Sequence, residues 1–340
     1  MENTQKNNRK YFLDIAKGIG IVFVMLGHSA IGESIASYTY IFNMPMFFFV
    51  AGYLTNLAKY QNYWQFLKSR LKGILIPYLG LSIISVIFYK FYYRMPGNDY
   101  ITIQNMLKVF VLATRNQIFY NIPLWFLPTL FITENIFYWI RKINRWWLEL
   151  IIMFILGWYF VMAWDTLYNP KLFWTLDNAC FYLIFLALGY YVRNKFIDIT
   201  KLNWWVKNAM WIIMLSINLL VIVNKTWFDK IFRNKALLNN SMFYYISLIV
   251  LAVAGIWSIL KISKIINRQK ILEFIGRNSL TFFGLHVLVF WILDKILKPM
   301  PFWQDRLLMM SIVYVVITIG IISLLIKPLK KCLPSVFGKN

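Results

Sequence analysis

The sequence predicts an all-α integral membrane protein, a bundle of about ten transmembrane helices with both termini in the cytoplasm. Three observations lead there. Hydrophobic residues make up 60% of the 340 and charged ones only 14%, against about 45–50% and about 25% in a soluble domain. The apolar residues fall in runs of about 20, the length that crosses a bilayer as a helix. The 36 Lys and Arg outweigh 13 Asp and Glu, a net charge of +23, yet they lie mostly between the apolar runs. A nucleic-acid binder would carry such charge on a polar face, so the pattern excludes that partner, a soluble globular domain and a disordered tail. Cys180 and Cys332 have no CxxC or metal-ligand spacing, so no disulfide framework and no metal site is expected.

Ten segments satisfy the length criterion: 12–31, 39–57, 73–92, 121–140, 148–164, 174–192, 206–224, 242–260, 278–297 and 307–326. The first follows the basic residues Lys6, Arg9 and Lys10. Its apolar run is longer than a signal-peptide core and contains Lys17, so it is expected to be retained as a helix. The second and fourth carry Pro45, Pro123 and Pro128, which membrane helices tolerate where neighbours satisfy the freed carbonyls. The third follows a basic loop, Phe66 to Lys72. The remaining six are separated by short polar connections, and the longest outer ones, 93–120 and 225–241, are too short to be domains. The chain therefore reads as a single transmembrane domain over 1–340 without a soluble appendage. No internal repeat suggests an inverted-repeat transporter.

Charge assigns the sides. Alternate connections, starting from the amino-terminal tail, hold 23 of the 36 basic residues, among them Lys68, Arg70, Arg141, Arg193, Lys264, Arg277 and Lys330; the opposite connections hold 11. Lys17 and Lys90 lie within spans. Basic residues are retained on the cytoplasmic side, which places both termini there, as an even number of spans requires.

Ionisable groups within the bilayer cost at least ~2.5 kcal/mol each, so every one is a candidate for function. The first span concentrates them: Asp14, Lys17 and His28. Lys17 and His28 are 11 positions apart, about 20° beyond three full helical turns, so they share one face and lie about 16 Å apart in depth. Asp14, one turn before Lys17, can neutralise it. Gly18, Gly20 and Gly27 thin the helix and let neighbours or a ligand approach. Singly, Lys17 can snorkel to the inner interface and His28 can simply hydrogen-bond between helices. Together on one face they suggest chemistry, and a neutral imidazole near pH 7 suits proton transfer. A metal is poorly supported, since His28 and His286 have no ligand spacing.

Elsewhere the alternatives stay open. His286 sits near mid-membrane in the ninth span, about 12 Å shallower than His28 by helical rise, and suits a structural polar role as well as a catalytic one. Glu134 in the fourth span can pair inward with a cation or be protonated. Trp125 can line a cavity or belong to an interfacial belt. Arg70 and Lys72 can be topological, bind anionic lipid, or grip a phosphorylated cytosolic donor.

The segment Phe12-Leu13-Asp14-Ile15-Ala16-Lys17-Gly18-Ile19-Gly20, with His28 following, resembles the opening motif of the membrane acyltransferase 3 family: Arg or Lys, ten residues, then His. Met44-Pro45-Met46-Phe47-Phe48-Phe49 leading to Gly52-Tyr53-Leu54, the basic loop into Ile76-Pro77-Tyr78, Leu124-Trp125-Phe126-Leu127, and Gly276-Arg277-Asn278-Ser279-Leu280 through His286 also resemble it, in the same order. The nearest resemblance is to the fucose 4-O-acetylase-like branch. It implies transfer of acetyl from cytosolic acetyl-CoA to a carbohydrate hydroxyl of a surface polysaccharide, with no permanently bound cofactor and no nucleic acid. By the same resemblance His28 is the catalytic base or transient acyl carrier, Lys17 its basic partner with Asp14 beside it. Arg70 and Lys72 bind the donor, and Asn43, Trp125, Glu134, Asn278, Ser279 and His286 line or support the cavity. Many relatives have His where this chain has Asn43, which hydrogen-bonds but cannot titrate. Membrane lipids and other proteins of polysaccharide synthesis are the implied partners, and a bacterial plasma membrane the implied location. A tunnel along the face shared by Lys17 and His28 would carry the thioester inward. The competing reading is a transporter or flippase of polysaccharide or lipid-linked glycan, with the same polar groups lining a translocation path.

Overall fold

The computed structural model describes residues 11–29, 33–92, 102–115, 117–164, 171–196, 203–223, 241–266, 268–303 and 306–338. All regular structure among them is helical, with no strand. A helix underlies each of the ten predicted segments. Among the described residues six stretches are long and apolar enough to cross a membrane: Tyr11–His28, Tyr63–Tyr92, Phe173–Arg193, Met242–Ile266, Ser279–Leu297 and Leu307–Cys332; Ile41–Leu54 and Trp146–Met162 are shorter apolar helices. The chain divides into two compact units interleaved in sequence, Met1–Val50 with Asp198–Phe283 and Met300–Ile317, and Ala51–Ile197 with Gly284–Pro299 and Thr318–Asn340.

The first unit is built around α1 (Tyr11–His28) and the start of α2 (Glu33–Leu54). Helix α1 ends earlier than the apolar pattern suggested. Ser29 turns back, its N–H and hydroxyl both donating to the Leu26 carbonyl at 3.1 and 2.7 Å, so the chain stops propagating the helix at His28.

In the second unit, α3 (Tyr63–Arg70), a π-helical turn (Leu71–Leu75) and α4 (Ile76–Tyr92) form one continuous rod. The sequence expectation of a basic loop at 66–72 is therefore corrected: that stretch is helical. Asn62 caps it, its side chain accepting from the Gln65 N–H at 3.0 Å, and Phe66 is completely buried. A buried aromatic one turn in, with a satisfied amino-terminal N–H, is enough to start the helix before the apolar run begins. The connection after α4 also holds a short helix that the apolar scan did not anticipate, α5 (Ile103–Leu112), capped by Thr102.

The second unit continues with α6 (Phe126–Ile140), α7 (Trp146–Trp164) and α8 (Leu176–Arg193). Small residues set its closest approaches. A Cβ on Gly52 would lie 1.9 Å from the Leu186 carbonyl oxygen, and one on Gly284 would lie 2.5 Å from the Leu81 side chain. The first unit is completed by α9 (Trp204–Val223), α10 (Ser241–Ile266), the eight-residue α11 (Lys270–Arg277) and the first turn of α12 (Ser279–Leu297). The long α13 (Leu307–Cys332) contains Pro328 and is followed by α14 (Pro334–Phe337), whose Val336 packs on Gly80.

Candidate functional site

Within the first unit, α11 lies against α1 with almost no side-chain spacer. A Cβ on Gly18 would fall 2.2 Å from the Leu272 carbonyl oxygen, and one on Gly276 would fall 1.8 Å from the Asp14 carbonyl oxygen. Two glycines facing two backbones let the helices touch. That contact brings the end of α11 to the ionisable turn of α1. Asp14, 4% exposed, accepts from Lys17 Nζ at 2.9 Å on the same helix and faces Arg277 Nε at 3.7 Å. Arg277 in turn pairs with Glu273 at 3.1 Å, one turn back on α11. The buried carboxylate is thus held between two cations, which is what an ionised group removed from water requires.

His28 closes the same helix, half-buried at its last residue. It shares α1 with Lys17, eleven residues on, so about 16 Å of helical rise separates the two. A single small group cannot touch both. Asn43 of α2 lies flat on α1, its Nδ2 donating to the Gly20 carbonyl at 3.1 Å. Its Oδ1 is buried with no hydrogen-bond partner among the described residues. Asn43 therefore holds α2 to the glycine-thinned stretch of α1. Asn278 is the joint between α11 and α12: its N–H and side-chain amide donate to the Phe274 carbonyl, and its own carbonyl accepts from Thr281 and Phe282. Ser279 is the first residue of α12. Asn278 thus acts as a connector that fixes where α11 ends.

The remaining sequence candidates belong to the second unit. Arg70 and Glu134, distant in sequence, are brought together with Nε 3.0 Å from Oε2. Arg70 also donates to the Tyr60 hydroxyl at 3.3 Å and lies over the Phe66 ring at 5.1 Å. Its charge is compensated by the Glu134 carboxylate. Lys72, on the π-helical turn, is exposed. Trp125 is 5% exposed, with the Arg115 guanidinium 4.8 Å from its ring centre and Tyr182 stacked at 6.0 Å; it is an interior residue and not part of an interfacial belt. His286 is fully buried, edge-on to Phe290 at 5.7 Å.

Several polar groups escaped the sequence analysis. Arg141 grips Glu149 with both carboxylate oxygens, at 2.6 and 2.7 Å, and the Tyr191 hydroxyl donates to the same carboxylate. Burial alone would disfavour charge on Arg141, but the Glu149 carboxylate outweighs it and raises the guanidinium above its ordinary range. Asn121 donates to the Ser85 hydroxyl at 2.9 Å and the Gly284 carbonyl at 2.8 Å. Asp177, in the first turn of α8, ties down the preceding connection by accepting from the Lys171 N–H at 2.8 Å. Of the missed residues only Glu273 and Arg277 had a usable signal, their i,i+4 spacing beside a glycine. Among the described residues no group of three or more His, Cys, Asp or Glu is placed to hold a metal ion.

Apolar helices of bilayer length, one of them carrying a buried carboxylate, define the class as a polytopic helical membrane protein. The acyltransferase domain matches residues 10–326, and the chain belongs to that family of acyltransferases; it is a membrane enzyme that transfers acyl groups. No curated protein and no solved structure matches it.

Proposed function

We propose that this acyltransferase moves an acetyl group from cytosolic acetyl-CoA to a sugar hydroxyl of a cell-surface polysaccharide, whether capsule, exopolysaccharide or lipid-linked glycan. The fucose 4-O-acetylase-like branch is the part of the family its motifs favour. Ten spans with both termini cytoplasmic, in a bacterial plasma membrane, put the donor on the basic side. The observation that carries the reading is the order of groups on α1: Asp14 and Lys17 paired at 2.9 Å, then His28 on the same face eleven residues on.

In this reading His28 is the reacting residue. Its neutral imidazole takes the proton of the acceptor hydroxyl as the oxygen attacks the thioester carbonyl. The tetrahedral adduct collapses, the carbon–sulfur bond breaks, and the imidazolium returns its proton to the departing thiolate. As an acyl carrier instead, the imidazole attacks first and the sugar oxygen then displaces it. In both routes atoms balance without a cofactor. Lys17, about 16 Å away, and Asp14, about 21 Å away, bind and orient the donor.

O-acetyl analysis of surface polysaccharide in cells carrying the wild type or His28→Ala tests this. Glycan that reaches the surface without acetate in the variant is the expected outcome. Equal acetylation in both would sink the reading, and loss of the surface glycan itself would favour translocation as the activity.

A further inference from the structure

Three cations gather at the end of the first unit where α1 begins, and a fourth lies on the neighbouring helix α11. Lys264, in the last turn of α10, has its Nζ 5.1 Å from the Phe12 ring centre. Arg268, in the link that follows, and Arg277, ending α11, each place a guanidinium carbon 5.9 Å from the Tyr11 ring centre. Lys270 opens α11. All four are exposed, and Lys17 lies further along α1. Against these five stand two carboxylates, Asp14 and Glu273, both buried and both already spoken for by Lys17 and Arg277. Among the described residues, Lys264, Arg268 and Lys270 have no carboxylate within ion-pair distance.

Like charges drawn over two neighbouring rings repel one another, and at such short range salt screens that repulsion only in part. The arrangement is relieved by an anion with several negative charges, held through charge-assisted hydrogen bonds from guanidinium and ammonium groups. Arg70 offers no equivalent, since Glu134 neutralises it at 3.0 Å. The order along α1 matters as well. The cation cluster at Tyr11, then Lys17, then His28 extend over about 25 Å of helical rise. A CoA thioester has the same order: phosphates, a flexible arm, and the reactive carbonyl at its far end.

We infer that the phosphates of the CoA donor bind on the first unit, at Lys264, Arg268 and Arg277 around Tyr11 and Phe12, and not at Arg70 and Lys72. This rests on the acetyl-CoA reading above and assigns its donor site. The shared chemistry is a phosphate group, which a lipid headgroup also supplies, and the two sources are separable.

The test uses the full chain in nanodiscs, with coenzyme A as the probe and 3′,5′-adenosine diphosphate as competitor. The paired substitution Lys264→Gln with Arg268→Gln is expected to weaken coenzyme A binding about tenfold or more, with 3′,5′-adenosine diphosphate competing in the wild type. Arg70→Gln is expected to change binding less than about threefold. Arg268→Lys restores charge without the planar fork and is expected to fall between the wild type and Arg268→Gln. Matching elution volumes and melting temperatures show that the variants are folded. Unchanged binding in the paired variant, with a wild type that binds, overturns the site and leaves the donor reading standing. A wild type that binds no coenzyme A overturns both. Binding to the wild type that neither responds to the paired substitution nor is competed by the diphosphate, with the substitution altering only retention of phosphatidylglycerol, would make the cluster a lipid site and overturn the inference.

Discussion

At the scale of single residues, two buried carboxylates show how the same charge serves different ends. Asp14 is shared between Lys17 and Arg277, 2.9 and 3.7 Å away, on the helix that carries His28. Glu149 is wholly buried and closed off by Arg141 Nη1, which donates to both its oxygens, and by the Tyr191 hydroxyl, which leaves it nothing to do but hold the fold. Removing one partner of such a pair strands the other charge and costs about 3–5 kcal/mol. Glu149→Gln is therefore expected to lower the melting temperature in detergent while acyl transfer per folded molecule stays unchanged. A variant with wild-type stability but lost transfer would reverse that assignment. Asp14, Lys17 and His28 were legible in the sequence because helical periodicity alone relates positions three and eleven apart. The partners Arg277 for Asp14 and Glu134 for Arg70 were not, since nothing local links residues so distant in the chain.

At the scale of elements, the functional turn depends on the contact between α1 and α11. Gly18 and Gly276 each face a backbone carbonyl, closer than any Cβ allows. Gly276→Ala must push α11 off α1, an overpacking cost of about 1–3 kcal/mol or more. The displacement also carries Arg277 away from Asp14. Reduced acyl transfer together with a lower melting temperature is the expected outcome, measured on the purified chain; a variant that keeps both would mean the helices separate without consequence. The glycines themselves stood out in the sequence as thinning the first helix, but which neighbour used the space did not. The rod from Tyr63 to Tyr92 gives the opposite lesson. Hydropathy placed its apolar part, yet its first turns are mostly polar and are held by buried Phe66 and by the Tyr63 hydroxyl on Asn135, so a scan for apolar runs missed where the helix starts.

At the scale of the whole molecule, orientation is the property most open to a direct measurement. Cys332 is exposed at the end of α13, and Cys180 is buried in α8. With the carboxyl terminus in the cytoplasm, a membrane-impermeant maleimide is expected to label Cys332 only after cells are opened, and Cys180 not at all until the protein is unfolded. Labelling of Cys332 in intact cells would put that end outside and invert the assignment made from Lys and Arg. The family match runs through both compact units, so the activity belongs to the chain as a whole.

The amino-acid sequence by itself determined that this is a helical membrane protein and where most of its apolar helices lie. Solvent preference, bilayer thickness and helical repeat act on neighbours in the chain and leave their marks in local pattern. Only the tertiary structure decided that Arg70 is spent on Glu134, that Asn43 ties α2 to Gly20, and that Arg277, Arg268 and Lys264 converge on the start of α1. Those outcomes depend on which helices touch, and contact between distant segments is set by packing, which no local pattern records.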